Sequence, residues 1–418
     1  MNVDADRVLA DLRELAAASG GEHAGAKRLA WSADWVAARD WLLGKLAEID
    51  GPVVERDEAG NLWATLEGAG EAEGFVIVGS HIDAVPSGGW LDGCLGVVAA
   101  LEVLRALAAA DPPPAVTVKL VDWADEEGAR FGRSLVGSSA VAGTLDPDDV
   151  RGLRDPDGVT LQEAMASVGV DLDGAHAARS RLDGALAYVE LHVEQGPVLL
   201  DAGRLAGAVA GTVGDERYLV AFGGQAAHAG STPMRLRRDT LAAAATAALE
   251  IREVGIRHDG VTTVGAIAST PAVITAVAGE SEMMLDLRHL DADTLATMLA
   301  ECLDACERAA ARFDCTVEAR RVFRAAPTPF HPELVAIARE ATDGGAPIPS
   351  GPLHDATEIG RLVPTVMVFA QSDPPISHTE VEDSPPEALR AAIAAYGETV
   401  AKTIALVAAG GLRGGVKA

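Results

Sequence analysis

Long apolar runs, paired cysteines and positive charge are all scarce in these 418 residues. No stretch reads as the roughly 20 consecutive apolar residues that a bilayer span needs. The first residues, MNVDADRVLADLRELAAASG, carry acidic groups at helical spacing, whereas a leader would begin basic and turn apolar. No membrane partner is therefore expected. Cys94, Cys302, Cys306 and Cys315 have neither the spacing of a metal knuckle nor that of a disulfide framework, which fits a reducing, cytoplasmic setting. Lys and Arg number 34 against 62 Asp and Glu, a formal charge of −28. A surface of that sign argues against nucleic acid and anionic lipid as partners. Internal repeats and low-complexity segments are also absent, and Gly410–Ala418 reads as a frayed tail.

What is present is a chain too long for one ordinary core, and two domains are the natural expectation. The organising stretch runs from Val78 to Leu104. Four apolar residues, Phe75 to Val78, make a buried strand that breaks into Gly79, Ser80, His81, Ile82 and Asp83. After a turn at Pro86, Gly88 and Gly89, Asp92 and Gly93 precede an apolar helix from Leu95 to Leu107. Taken singly, His81 could be a buried, hydrogen-bonded histidine and Asp92 a helix cap.

The same design recurs along the chain. A strand from Val116 to Trp123 ends in Asp125, Glu126 and Glu127, and one from Ala185 to Leu191 leads into His192, Glu194 and Gln195. A fourth, Thr365 to Ala370, is followed by His378. In an open α/β sheet, ligands bind beyond the carboxyl ends of the strands. From about residue 207 the pattern changes to strand, helix, strand, strand, helix, strand, the ferredoxin-like order. The expected organisation is thus a discontinuous α/β catalytic domain, 1–206 with 323–418, and an inserted α+β domain, 207–322.

His81, Asp83, Asp92, Glu126, Glu127, His192 and His378 collect at four strand ends. Five of them suffice for a two-metal site in which one carboxylate bridges the ions. Mixed nitrogen and oxygen donors suit zinc, manganese, cobalt or nickel. Asp83, two residues from His81, is placed to orient that imidazole. Side chains of the adjacent Glu126 and Glu127 diverge, so one can bind metal while the other serves as general base.

The strings GSHIDAVPSGGWLDGCLGV, DEEGARFGRSLVGS, ELHVEQGPVL, GQAAHAGSTPMRLRRDTLAAAA, LDLRH and ISHTEVEDSPPEAL, in order from about residue 79 to 390, resemble the M20-type metallo-amidohydrolases. Within them the chain is similar to the N-carbamoyl-L-amino-acid hydrolase, allantoate amidohydrolase and β-ureidopropionase branch. The resemblance implies a zinc-peptidase-like catalytic domain, a mixed sheet flanked by helices, and an inserted lid that also dimerises the protein. It implies two divalent ions, one held by His81, Asp92 and His192, the other by Asp92, Glu127 and His378. Glu126 matches the general base and His228 the residue that stabilises the oxyanion, in many members from the partner subunit. Arg288 matches the grip on the substrate carboxylate, with an ion pair to Asp286 as the alternative. Gln195 and His354 match substrate-pocket positions. The implied substrate is a small ureido or carbamoyl acid, and the implied assembly a homodimer.

The substrate-holding shell departs from that pattern. Thr275 stands where the branch usually has asparagine, Ala227 replaces the asparagine before the lid histidine, and Pro375 replaces a glycine before Ile-Ser-His. Proline has no N–H to offer. Pro352 and Leu353 add bulk beside His354. Hydrolytic machinery is expected to be intact, with altered selectivity.

Overall fold

A computed structural model describes residues 1, 3–20, 24–70 and 73–412; the last six residues of the expected tail lie outside them. The chain divides into two compact units, Met1–Gly211 joined by the segment from Phe330 onward, and Thr212–Pro329.

The first unit is built on a mixed sheet. Its strands run in the order Val53–Arg56, Leu62–Leu66, Thr117–Trp123, Phe75–His81, Ala185–Val193, Thr365–Ala370 and Ala206–Thr212. The middle four are mutually parallel, and the flanking pairings are antiparallel. Every residue of Phe75–His81 and of Ala185–Val193 is buried, which explains why these strands read as unbroken apolar runs rather than alternating ones. Helices Ala5–Ser19, Cys94–Ala108 and Pro386–Ala408 cover one face with an aliphatic core. The other face carries Trp63, Trp123 and Tyr188 beneath the short helices Val136–Ala142 and Asp355–Ile359 and the 3₁₀ stretch Leu172–Leu182. Parallelism brings the carboxyl ends of four strands to one edge, and the residues that follow them converge there.

Two expectations change in detail. The break in pattern near Ala206 is a strand that still pairs with Thr365–Ala370, so it belongs to the first sheet. The helix Pro386–Ala408 does have the length and apolarity of a membrane span. Its Leu389, Ile393, Tyr396, Val400 and Val407 are packed into the core, which is where that apolarity comes from.

In the second unit four antiparallel strands lie in the order Thr316–Ala325, Gly214–Gly223, Glu280–His289, Val261–Thr270. Helices Thr240–Arg257 and Ala292–Arg312 complete the ferredoxin-like order and enclose a separate core of Val220, Phe222, Ile251, Met283, Leu285 and Met298. Among the described residues of this unit the helices cover one face of the sheet, and Glu280–His289 alternates exposed and buried residues over its first six positions.

Candidate metal centre

His81 is the last residue of its strand, paired across the ladder with Trp123, and His192 lies opposite Phe369 on the neighbouring ladder. Both imidazoles are 1% exposed. Each anchors Nδ1 on a main-chain carbonyl, His81 on Asp83 at 3.1 Å and His192 on Val193 at 2.9 Å. A carbonyl only accepts, so Nδ1 carries the proton and Nε2 is left as the donor atom for a ligand.

Both Nε2 atoms face the same oxygen of Asp92, at 3.9 Å from His81 and 3.2 Å from His192. The second oxygen of Asp92 faces His378 Nε2 at 3.9 Å, and that imidazole lies 3.4 Å from Glu127. Two groups of three ligating atoms result, His81–Asp92–His192 and Asp92–Glu127–His378, each with its atoms within 4.8 Å of one another. They share one carboxylate. The adjoining helix Cys94–Ala108 is capped by Gly93 with no side-chain cap, so Asp92 is not engaged as a helix cap. Gly93 has φ 64°, and a Cβ there would come within 2.4 Å of the His81 ring. Glycine is what allows Asp92 to turn in beside that imidazole.

Glu126 Oε2 lies 3.7 Å from His81 Nε2 and is nearly buried. Asp83 differs from expectation in how it works. His81 uses the Asp83 carbonyl, whereas the Asp83 carboxylate accepts the main-chain N–H groups of Glu126 at 3.2 Å and Glu127 at 3.1 Å. It therefore organises the glutamate pair as well as the histidine.

The electrostatics follow from crowding acids in a buried place. Burial, then Asp355, Glu127, Asp83 and Asp92, push the Glu126 carboxyl well above its usual range. Burial together with Asp92 and Asp83 does the same to Glu127. Burial lowers His81 to about 4, against the pull of Asp92. At His192 burial also opposes the charge, but the hydrogen bond to Asp92 wins and raises it to about 9. Asp92 is held below its usual range because the three imidazoles outweigh its burial. Negative charge gathered this way, on imidazole and carboxylate donors, suits a divalent cation.

His354 is buried rather than lining open space. Its ring lies 4.4 Å from that of His192 and its Nε2 is 3.0 Å from Ser350 Oγ, so it buttresses a ligand from behind. Gln195 places its amide nitrogen 2.9 Å from Asp92 and 2.8 Å from Ser377 Oγ. Sequence reasoning passed over Ser377, Glu382 and Glu190. Glu190 was findable, since the two-residue period of a strand sets Tyr188, Glu190 and His192 on one face. Its carboxylate accepts from Ser80 Oγ at 2.8 Å and from Tyr188 at 3.0 Å.

His228, Thr275 and Arg288 belong to the second unit. His228 is exposed on a short strand paired with Ala276–Val277, and the Thr275 carbonyl accepts from Ala229 N–H. Its Nδ1 accepts the N–H groups of Gly230 at 3.1 Å and Ser231 at 3.2 Å, which leaves the proton on Nε2, facing outward as a donor. Arg288 pairs with Asp286 at 3.0 Å, as the alternative reading had it, and Asp286 is shared with Arg217, also at 3.0 Å.

Residues 77–402 match the family described as peptidase family M20/M25/M40. The chain is 36% identical to an N-carbamoyl-L-amino acid amidohydrolase of Geobacillus stearothermophilus, over 92% of this chain and 95% of that one. It is 34% identical to an allantoate amidohydrolase of Escherichia coli (strain K12), over 86% and 88%. Among solved structures it is similar to a hydantoinase/carbamoylase family amidase from Burkholderia multivorans, with TM-score 0.85, 32% identity and coverage of 97% and 98%.

Proposed function

This chain belongs to the M20/M25/M40 peptidase family, and from that premise we propose that it is a two-metal amidohydrolase that cleaves the terminal C–N bond of an N-carbamoyl-L-amino acid, releasing ammonia, carbon dioxide and the amino acid. It is a hydrolase of non-peptide C–N bonds in linear amides. The observation that carries the two-metal reading is the division of Asp92, one oxygen toward His81 and His192, the other toward His378.

His81, Asp92 and His192 would hold one ion, and Asp92, Glu127 and His378 the other; zinc, manganese, cobalt or nickel all suit these donors. When bound, such ions supply Lewis acidity and a water of lowered pKa. Glu126 takes the proton of the attacking water and returns it to the leaving nitrogen, a task that suits a carboxyl held well above its usual range by burial and neighbouring acids. In this reading His228, a donor through Nε2, stabilises the oxyanion of the tetrahedral intermediate. Arg288 takes the substrate carboxylate, Thr275 lines the remainder, and His354 acts on substrate through His192. The second unit serves as lid and dimer contact. Leu241, Leu249 and Ile256 are exposed on helix Thr240–Arg257, and the sheet ends in the edge strand Val261–Thr270, which fits pairing with a second copy. Four free cysteines fit a cytoplasmic setting.

A second reading, hydrolysis of allantoate, is favoured by the similarity to the Escherichia coli (strain K12) enzyme; ureidoglycolate and 3-ureidopropionate are the further ureido acids to weigh. The test is ammonia release by metal-reconstituted protein from N-carbamoyl-L- and D-amino acids, allantoate, ureidoglycolate, 3-ureidopropionate and N-acetyl controls. Preference for an N-carbamoyl-L-amino acid is expected. Strong preference for allantoate moves the assignment to the second reading. Activity only on N-acetyl compounds, or none, overturns both in favour of an acyl hydrolase or a binding protein.

A further inference from the structure

We propose that Gln195 is a positioning residue, the central link of a hydrogen-bonded strap that ties the bridging carboxylate Asp92 to the loop bearing His378 and so sets the affinity of the outer ion. The proposal rests on the two-metal reading above.

A primary amide nitrogen has two protons to give. Here both have takers, Asp92 Oδ2 at 2.9 Å and Ser377 Oγ at 2.8 Å. An Asp92 carboxylate accepts only, so the nitrogen end of Gln195 must face it. The amide nitrogen is thereby committed within the protein, which separates this role from that of a donor to substrate. The main chain of Gln195 is pinned as well, its N–H donating to Ser372 Oγ at 3.0 Å.

The far end of the strap is equally defined. Ser377 directly precedes His378, whose N–H donates to Glu382 at 2.9 Å, and Glu382 is 1% exposed. Gln195 and His378 both adopt left-handed φ, 60° and 58°. Side chains other than glycine keep that conformation where their surroundings over-determine it. The two left-handed residues lie on different loops, and the Gln195–Ser377 bond joins those loops at Asp92.

The strap matters more to one ion than the other. His81 and His192 sit in strand ladders, with each ring fixed by its own main-chain hydrogen bond. His378 lies on a loop with 56% of its side chain exposed. Its placement depends on Glu382 at its own N–H and on Gln195 through Ser377.

The experiment is metal titration of the purified full-length chain stripped of metal, read by cobalt absorption and by bound-ion stoichiometry, on wild type, Gln195→Leu, Ser377→Ala and Ser377→Thr. Thermal melts check that each variant folds. Gln195→Leu should weaken the second ion about 10–100-fold and leave the first within a factor of about three. Ser377→Ala should move the same way by less, and Ser377→Thr, which keeps the hydroxyl, should restore binding. Two ions bound with wild-type affinity in Gln195→Leu, accompanied only by a raised KM, would overturn the strap and make Gln195 a substrate contact. Equal weakening of both ions would also overturn it. A wild type that takes up one ion overturns the strap together with the two-metal reading beneath it.

Discussion

The two halves of the candidate centre share Asp92 and are otherwise built on opposite terms. The inner half takes its histidines from strand ladders, buries both, and fixes each ring by a main-chain hydrogen bond. The outer half takes Glu127 from the turn after a strand and His378 from a loop eight residues beyond one, with that imidazole more than half exposed. A ligand in a ladder cannot move without disturbing the sheet. A ligand on a loop can, and needs other residues to hold it. The inner half should behave as part of the fold, the outer half as an attachment to it.

The most damaging change to both halves is Asp92→Ala, which removes the shared ligand. Bound metal should fall toward zero and kcat by on the order of 10³-fold or more, since metal assistance amounts to several kcal/mol; plasma emission and an ammonia assay read the two quantities. Glu126→Gln should separate chemistry from binding, with a fall of roughly 10²–10⁴-fold in kcat and unchanged metal content. Metal lost in step with activity would place Glu126 among the ligands instead. His192→Ala set beside His378→Ala sharpens the contrast most directly. Truncating the buried ring strips Asp92 of its nearest imidazole and should cost about 1–3 kcal/mol in urea unfolding of the metal-free chain. Truncating the exposed one should stay within about 0.5 kcal/mol. Similar losses from both would erase the distinction between the halves. The smallest effect concerns order: chelator titration should remove one ion several-fold sooner than the other, and the one retained should be the ion missing from His192→Ala.

Within the site, legibility in sequence tracked whether a residue lay at a strand end. His81 and His192 lie at the ends of runs whose burial is complete, and Glu126 and Glu127 follow a strand whose last four residues are buried, so a one-dimensional pattern marked both the strand and the place where its chemistry begins. Asp92 was legible as a helix entrance, yet its freedom from capping was visible only in the fold. Asp83 was tied by proximity to His81, whereas its carboxylate works 43 and 44 residues away, on the N–H groups of Glu126 and Glu127. His354 read as a pocket residue through the family resemblance; its ring is packed beside His192, a contact spanning 162 positions.

The second unit was legible through alternation, clearest in Glu280–His289, whose side chains switch between solvent and core over the first six positions. The apolar helix Pro386–Ala408 has the length of a membrane span, and only the fold shows that its apolar side chains pack into the core, since a core helix and a membrane helix satisfy the same local requirement.

By itself, the sequence determined which strands are buried, which residues leave their carboxyl ends, the order of the inserted unit and the donor types gathered for metal. Those are local properties, set by side-chain polarity and by the periods of strand and helix. Only the tertiary structure decided that Asp92 faces two ways, that Gln195 reaches Ser377, and that His378 stands exposed while His81 and His192 do not. Each of these depends on the approach of segments far apart in the chain, which the periodicity of a single segment does not encode.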